Sequence, residues 1–384
     1  MTLDQRFPCI DDLERAALRR IPRFASEYLR GGIGREAGLR HNRTALDRVV
    51  FDPVYLREAN TFPPDMSAEL FGKRYDLPFG ISPLGLSGLM WPRAVDILAK
   101  AAQKANIPMG LSHHATTHMS EFRRIAGPNG WFQMYPPHNA DLRRAMLKEV
   151  QETGFEVLIV TVDIPTPTRR DRELRVDLSV PPRITPRTIW DVVTHPSWAF
   201  ATATVGPPKF HNLLPYLPER QSLANQARSL LEMVSQPVTP DALRDIRAHW
   251  PGKLVVKGVM NVTDAQTALD CGADAVWVSN HGARQLDVAL SPVEVLPAIR
   301  AALRPDVPIM ADSGPRTGLD IARMLAQGAD FVFLGRAFIF AVAALGARGG
   351  DHAIHILREE LRSAMGQVGA RSVHSLCTDG ATGS

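Results

Sequence analysis

The densest group of side chains able to move a proton or hold a charge lies in SNHGARQLD, residues 279–287, directly after the apolar run ADAVWV. His281 is a candidate general base near neutral pH, as histidine side chains commonly are. Arg284, three residues on, carries a planar fork that matches a carboxylate. A stretch without apolar periodicity makes a poor core segment, so it is either a polar turn or a presentation of base and cation to a cleft. By itself His281 reads as a hydrogen-bonded structural histidine. It reads as a catalytic base once its company is counted. Asp163, at the end of VLIVTVD, could fix and stabilise an imidazolium, and Arg170 offers a second carboxylate fork, while Arg169 reads as solvated charge. SHHATTH brings together His113, His114 and His118, but no carboxylate or cysteine stands with them at ligand spacing. No metal is expected, and His113 and His114 should line the pocket or pack.

Eight short apolar or β-branched runs supply a scaffold: LPFGIS, IPMGLS, WFQMY, VLIVTVD, KLVVKGV, ADAVWVSN, VPIMADSG and ADFVFLG. Helix-like segments such as RAVDILAKAAQKA and GLDIARMLAQG separate most of them, which predicts parallel βα units with both sheet faces covered. Strand starts recur roughly every 20 to 35 residues, the size of a βα unit. Eight of them favour a closed (β/α)8 TIM barrel, of the α/β class, over an open doubly wound sheet. The first 30 residues read as an N-terminal helical segment. Gly32, Gly34 and Ala37 then near-match a dinucleotide fingerprint, but no strand precedes them, so they are read as a helix end and a loop. One long excursion, between the fourth and fifth barrel strands, breaks the rhythm. Its residues 181–218 are rich in Pro and aromatic side chains and read as irregular. Trp190, Trp198, Phe200, Phe210 and Tyr216 either form a satellite core or dock on a membrane surface.

In such a barrel the chemistry gathers where strands end. Those ends carry Ser82 to Gly85, Ser112 to His114, Gln133 with Tyr135, Thr161 with Asp163, Lys257, Ser279 to His281, Asp312 to Gly314, and Gly335 with Arg336. One polar strand end is routinely a helix cap; polar or glycine-bearing ends on every strand are not. Lys257 would lie at barrel depth, where a cation needs an anion. DSGPR and LGR follow the last two strands, where backbone N–H groups and a helix N-terminus hold phosphate, with Arg316 and Arg336 adding charge. The sum is a phosphate-bearing cofactor, a base and a carboxylate-bearing substrate.

With 384 residues, 45% of them hydrophobic, the chain can bury a large core. A formal charge of +4 without a long basic run argues against nucleic acid. Three scattered cysteines fit reduced thiols in a cytoplasmic protein. No secretion signal or transmembrane helix is predicted; the longest apolar stretch carries Arg336 near its middle.

SNHGARQLD, with PRFASEYLRGG, HNRTALDRV, WFQMY, TVDIPTPTRRDRE, VKGV, DSGPRTGLDIARMLAQGAD and FLGRAF, resembles the FMN-dependent α-hydroxy acid dehydrogenases and oxidases. The likeness runs over roughly residues 8 to 375. It implies a single barrel domain over 1–376 with a flexible tail at 377–384, bound FMN, and oxidation of a lactate- or mandelate-like L-2-hydroxy acid to the 2-oxo acid. His281 would be the base and Asp163 its stabiliser, with Tyr28, Tyr135, Arg170 and Arg284 holding the substrate. Pro83, Leu84, Gly85, Ser112, Gln133, Thr161, Lys257 and Ser279 would line the flavin ring and ribityl chain. Asp312, Gly314, Arg316, Gly335 and Arg336 would hold ribityl and phosphate. Electrons would pass to a quinone or another acceptor, and the implied assembly is a homo-tetramer, cytoplasmic or peripheral on the inner face of the membrane. The alternatives are an oxygen-using oxidase and, in a different class, a non-redox FMN-dependent isomerase. His113-His114, Thr168, Pro315 and Thr317 depart from the family pattern and put the identity of the acid in doubt.

Overall fold

A computed structural model describes residues 1–56, 62–176, 178, 185–216 and 235–379. A short antiparallel hairpin, β1 (Ala68–Leu70) and β2 (Lys73–Tyr75), comes first. Then follow β3 (Phe79–Ile81), β4 (Met109–Ser112), β5 (Gly130–Met134), β6 (Val157–Thr161), β7 (Lys253–Val259), β8 (Ala275–Val278), β9 (Ile309–Ala311) and β10 (Phe331–Leu334). These last eight are the predicted runs. They pair in parallel, in chain order, and β10 closes on β3. The (β/α)8 barrel expected from the sequence is therefore present.

Side chains alternate across a strand, so every second residue points into the barrel. Trp131, Ile159, Val255, Trp277, Met310 and Phe333 form one buried apolar cluster. Their neighbours Phe132, Leu158, Leu254, Val256, Val276 and Val332 belong to a second cluster shared with the surrounding helices. The Trp277 and Phe333 rings lie 4.1 Å apart at the centre of the inner cluster. Two residues further along the same inward face stand Gln133, Thr161, Lys257, Ser279 and Asp312, all buried. The polar layer thus rests on an aromatic floor.

The hairpin was not legible as such. Leu70 and Tyr75 are buried with the inner cluster, and Tyr75 meets Phe331, the first residue of β10, edge-on at 5.6 Å. It plugs the N-terminal mouth of the barrel, opposite the polar layer.

The excursion differs from its reading as irregular. It holds the helices Pro186–Val193 and Pro196–Val205, each with Pro in its first turn, a placement that suits helix starts; residues 181–184 and 217–218 lie outside the described residues. Its aromatics divide between buried and exposed positions. Trp198 is 6% exposed and donates to the Leu89 carbonyl at 3.0 Å, Phe210 packs on His114, and Tyr216 donates to Glu149. Trp190 and Phe200 are 70% and 75% exposed. At the C-terminus, the helix Val373–Asp379 covers the point where a flexible tail was expected to begin; 380–384 lie outside the described residues.

Phe333 touches both interior tryptophans, so Phe333→Ala opens a cavity that rigid strands cannot fill. It should cost about 3–5 kcal/mol of stability, measured by urea unfolding.

Candidate active site

The stretch 279–287 leaves β8 and turns sharply. His281, Gly282 and Ala283 all have positive φ, at 56°, 63° and 58°, a conformation costly for the two residues that carry Cβ. Side chains hold the turn: Ser279 Oγ accepts from the His281 N–H (3.1 Å), Ser313 Oγ from Gly282 (2.9 Å) and Asn280 Oδ1 from Ala283 (3.0 Å). Asn280 is fixed in turn by reciprocal amide bonds with Asn42 at 3.0 and 2.7 Å. Asp287 accepts from the N–H groups of Arg35 and Gly38, both at 2.9 Å, tying the start of helix Ala37–Asp47 to the turn. The Gly32–Ala37 near-match is thus a packing loop: Ile33 donates to the Ala283 carbonyl, and a Cβ on Gly32 would meet Leu39 at 2.8 Å.

His281 presents Nδ1 to Asp163 Oδ1 at 2.9 Å, and both side chains are mostly buried. An Nδ1 held this way leaves Nε2 as the basic nitrogen. Gly258 makes the approach possible, since a Cβ there would lie 2.6 Å from the Asp163 Cβ.

Arg284 lies over the Tyr28 ring at 4.8 Å and donates to the carbonyls of Tyr28 and Gly31 at 2.8 and 2.9 Å. Burial, then the charge of Arg170, push its pKa down. Burial raises the Tyr135 hydroxyl, as do Asp163 and Tyr28, so that phenol stays protonated. Tyr28, Tyr135, Arg170 and Arg284 therefore converge beside the dyad. One residue unmarked in the sequence joins them. Glu173 accepts from Arg284 at 2.8 Å and from Arg170 at 3.2 Å. It had been lost in the charge run RRDRELR.

Across the barrel mouth, Lys257 donates to Ser279 Oγ at 2.7 Å and pairs with Asp312 at 2.9 Å. Burial alone would raise the Asp312 carboxyl; the Lys257 charge and hydrogen bonds from Ser279, Lys257 and Ser313 outweigh it and hold the group below the usual carboxylate range. Gln133 Nε2 donates to Thr161 at 3.0 Å, while its buried Oε1 has no partner among the described residues. Ser112 Oγ accepts from the His114 N–H. Gly85 lies against His114 and Ser112, and Gly335 against Leu84, while Pro83 lies against Gly110.

The two phosphate candidates differ. Arg336 already donates to the Leu29, Gly31 and Gly282 carbonyls at 2.9, 2.8 and 3.2 Å, and burial pulls its pKa down to about 9. Arg316 is half-buried, and its buried Nη1 has no partner among the described residues; Gly314 nearby adopts φ 125°. Unpaired buried polar atoms call for a partner. An acceptor without a donor at Gln133, a donor without an acceptor at Arg316 and a buried lysine between them fit a ligand with a ring N–H at one end and a phosphate at the other. FMN is such a molecule.

A family model described as FMN-dependent dehydrogenase matches residues 17–381. The L-lactate dehydrogenase of Bartonella tribocorum is 36% identical over 366 residues, covering 95% of each chain. The (S)-mandelate dehydrogenase of Pseudomonas putida is 34% identical over 370 residues, covering 96% of this chain and 92% of that one. Among solved structures, the monotopic membrane protein (S)-mandelate dehydrogenase superposes with a TM-score of 0.91 at 34% identity, over 98% of this chain and 99% of that one. A mandelate oxidase complex superposes with a TM-score of 0.78 at 31% identity, over 97% and 98%.

The histidine pair His113-His114 gives the site a pH signature. Burial, then the proximity of His114, push His113 down to about 3, against a small upward pull from the Asn212 backbone; burial and His281 push His114 to about 4. Between about pH 6.5 and 3 the unfolded chain takes up a proton at residue 113 that the folded chain refuses. Stability from this group is full above 6.5 and drains as pH falls. His113→Leu should therefore lose stability less steeply than the unsubstituted protein over that window, as followed by urea unfolding at stepped pH.

Proposed function

The chain belongs to the FMN-dependent dehydrogenase family, and on that footing we propose that it oxidises a small L-2-hydroxy acid, lactate- or mandelate-like, to the 2-oxo acid. The observation that carries this reading is the His281–Asp163 pair at 2.9 Å beside two mostly buried arginines. FMN, when bound, supplies the two-electron acceptor for the C–OH carbon. His281 Nε2 receives the proton that leaves the substrate, and Asp163 stabilises the imidazolium so formed. Arg170 and Arg284 grip the carboxylate, with Tyr28 and Tyr135 orienting the carboxylate and hydroxyl. Pro83, Leu84, Gly85, Ser112, Gln133, Thr161 and Ser279 line the ring and ribityl chain. Lys257 would supply positive charge beside the cofactor ring. Asp312, Gly314, Arg316, Gly335 and Arg336 hold ribityl and phosphate, Arg316 by its unengaged guanidinium edge and Arg336 by keeping the 282 turn in place. The electron acceptor would be a quinone or another oxidant, and the working assembly would be a homo-tetramer.

His281→Ala should retain FMN yet be reduced anaerobically by its acid roughly 10³–10⁴-fold more slowly. Stopped-flow bleaching of the flavin measures this, and near-normal reduction refutes the assignment. Lactate, longer 2-hydroxy acids and mandelate tested in the same way identify the acid; a flavin left oxidised by all of them would point to the isomerase alternative.

The mandelate dehydrogenase relative is a monotopic membrane protein, and no described helix here is long and apolar enough to cross a membrane. Docking by the excursion is supported by Ile189, Trp190, Val193, Phe200 and Val205, each more than half exposed on its two helices. Side chains of this kind bury into the headgroup boundary. Trp190→Ser with Phe200→Ser should shift the protein from sedimenting with anionic lipid vesicles to the supernatant, with flavin reduction unchanged.

A further inference from the structure

Glu173 is not accounted for by the reaction just described. Two mostly buried arginines side by side repel, and Arg170 is among the groups that depress the Arg284 pKa. A single carboxylate oxygen, Glu173 Oε1, lies 2.8 Å from one guanidinium and 3.2 Å from the other. It leaves donors over: Arg170 Nε is buried without a partner among the described residues. Its backbone is anchored as well, because the adjacent Arg172 pairs with Glu27 at 2.6 Å and with Glu36. Those acids flank the segment that supplies Tyr28. The carboxylate is thus a fixed part of the fork. Two guanidinium charges less one carboxylate charge leave a net +1 there, while the Asp163 charge faces His281 on its own.

We infer that Glu173 is a positioning and selectivity residue: it holds Arg170 and Arg284 together and keeps their fork at one net positive charge, so that the fork accepts one carboxylate and disfavours a ligand bearing two. This rests on the reading of the fork as the substrate carboxylate site. Removing the Glu173 charge while keeping its shape leaves a fork of +2, which a dianion neutralises and a monoanion does not.

The test is a titration of the FMN-loaded protein with propionate and with malonate, followed by the change in flavin absorbance. Neither acid has a 2-hydroxyl, so the binding constants do not depend on turnover. In Glu173→Gln the preference for malonate over propionate should rise by about tenfold, and the salt dependence of malonate binding should steepen. Glu173→Asp, which keeps the charge, should keep the original preference while binding both acids more weakly. A purely structural Glu173 would weaken both acids together in either variant, and an unchanged preference in Glu173→Gln overturns the inference. If Glu173→Gln does not fold, a changed preference in Glu173→Asp overturns it. Propionate that binds the unsubstituted protein while no 2-hydroxy acid bleaches it would refute the proposed reaction and leave the role of Glu173 intact; a protein that binds neither probe refutes the fork and the inference with it.

Discussion

A closed parallel barrel gives each strand one inward residue in every two, and the site depends on that period. Along β8 the sequence Ala275, Trp277, Ser279 runs from floor to polar layer; along β7 it is Val255, Lys257, and continuing past β9 it is Met310, Asp312. A one-residue slip would turn Lys257 outward among helices and bring Val256 into the mouth. The aromatic floor also forces the pairing above it. Packed tryptophan and phenylalanine rings exclude water from below, so the buried ammonium must find its partners sideways. It finds them in Ser279 and Asp312, and Trp277 offers its π face at 5.2 Å.

The turn at His281–Ala283 shows how the fold retains a conformation that is locally unfavourable. Left-handed backbone at His281 and Ala283 is worth of order 1–3 kcal/mol of strain per residue. Ser279, Asn280 and Ser313 each take one N–H of the turn, and Arg336 holds its Gly282 carbonyl. The strained turn aims the imidazole back at Asp163, which leaves a different strand. Polar residues around SNHGARQLD are thus mostly scaffolding for one histidine.

Much of this was open to reading in the sequence, for identifiable reasons. The eight barrel strands are short apolar runs separated by punctuated helices, so period and count were both visible. The site residues stand at strand ends, where polar types contrast with the run before them, and the family likeness named their partners. The hairpin was hidden because AEL and KRY are too short and polar to carry a strand pattern. The helices of the excursion were hidden by their prolines, which stand at helix starts rather than in loops. Glu173 was hidden by company: in a run of alternating charges, nothing local tells a solvated glutamate from one wedged between two mostly buried arginines. The difference lies in Arg284, more than a hundred residues away, and only the folded chain brings it close.

That separation recurs at the other end of the chain. The carbonyls of Tyr28, Leu29 and Gly31 are held by Arg284 and Arg336, over sequence distances of 256, 307 and 253 residues. Contacts of this range form late, after the intervening chain has paid its loop-closure entropy. During synthesis, the segment bearing Tyr28 leaves the ribosome first and must wait for residue 336 before its last carbonyl is taken up. The pocket mouth is therefore among the last parts of the molecule to be assembled. A chain that ends before Arg284 and Arg336 lacks the donors for these carbonyls, so the segment bearing Tyr28 takes its final place only when both arginines are present.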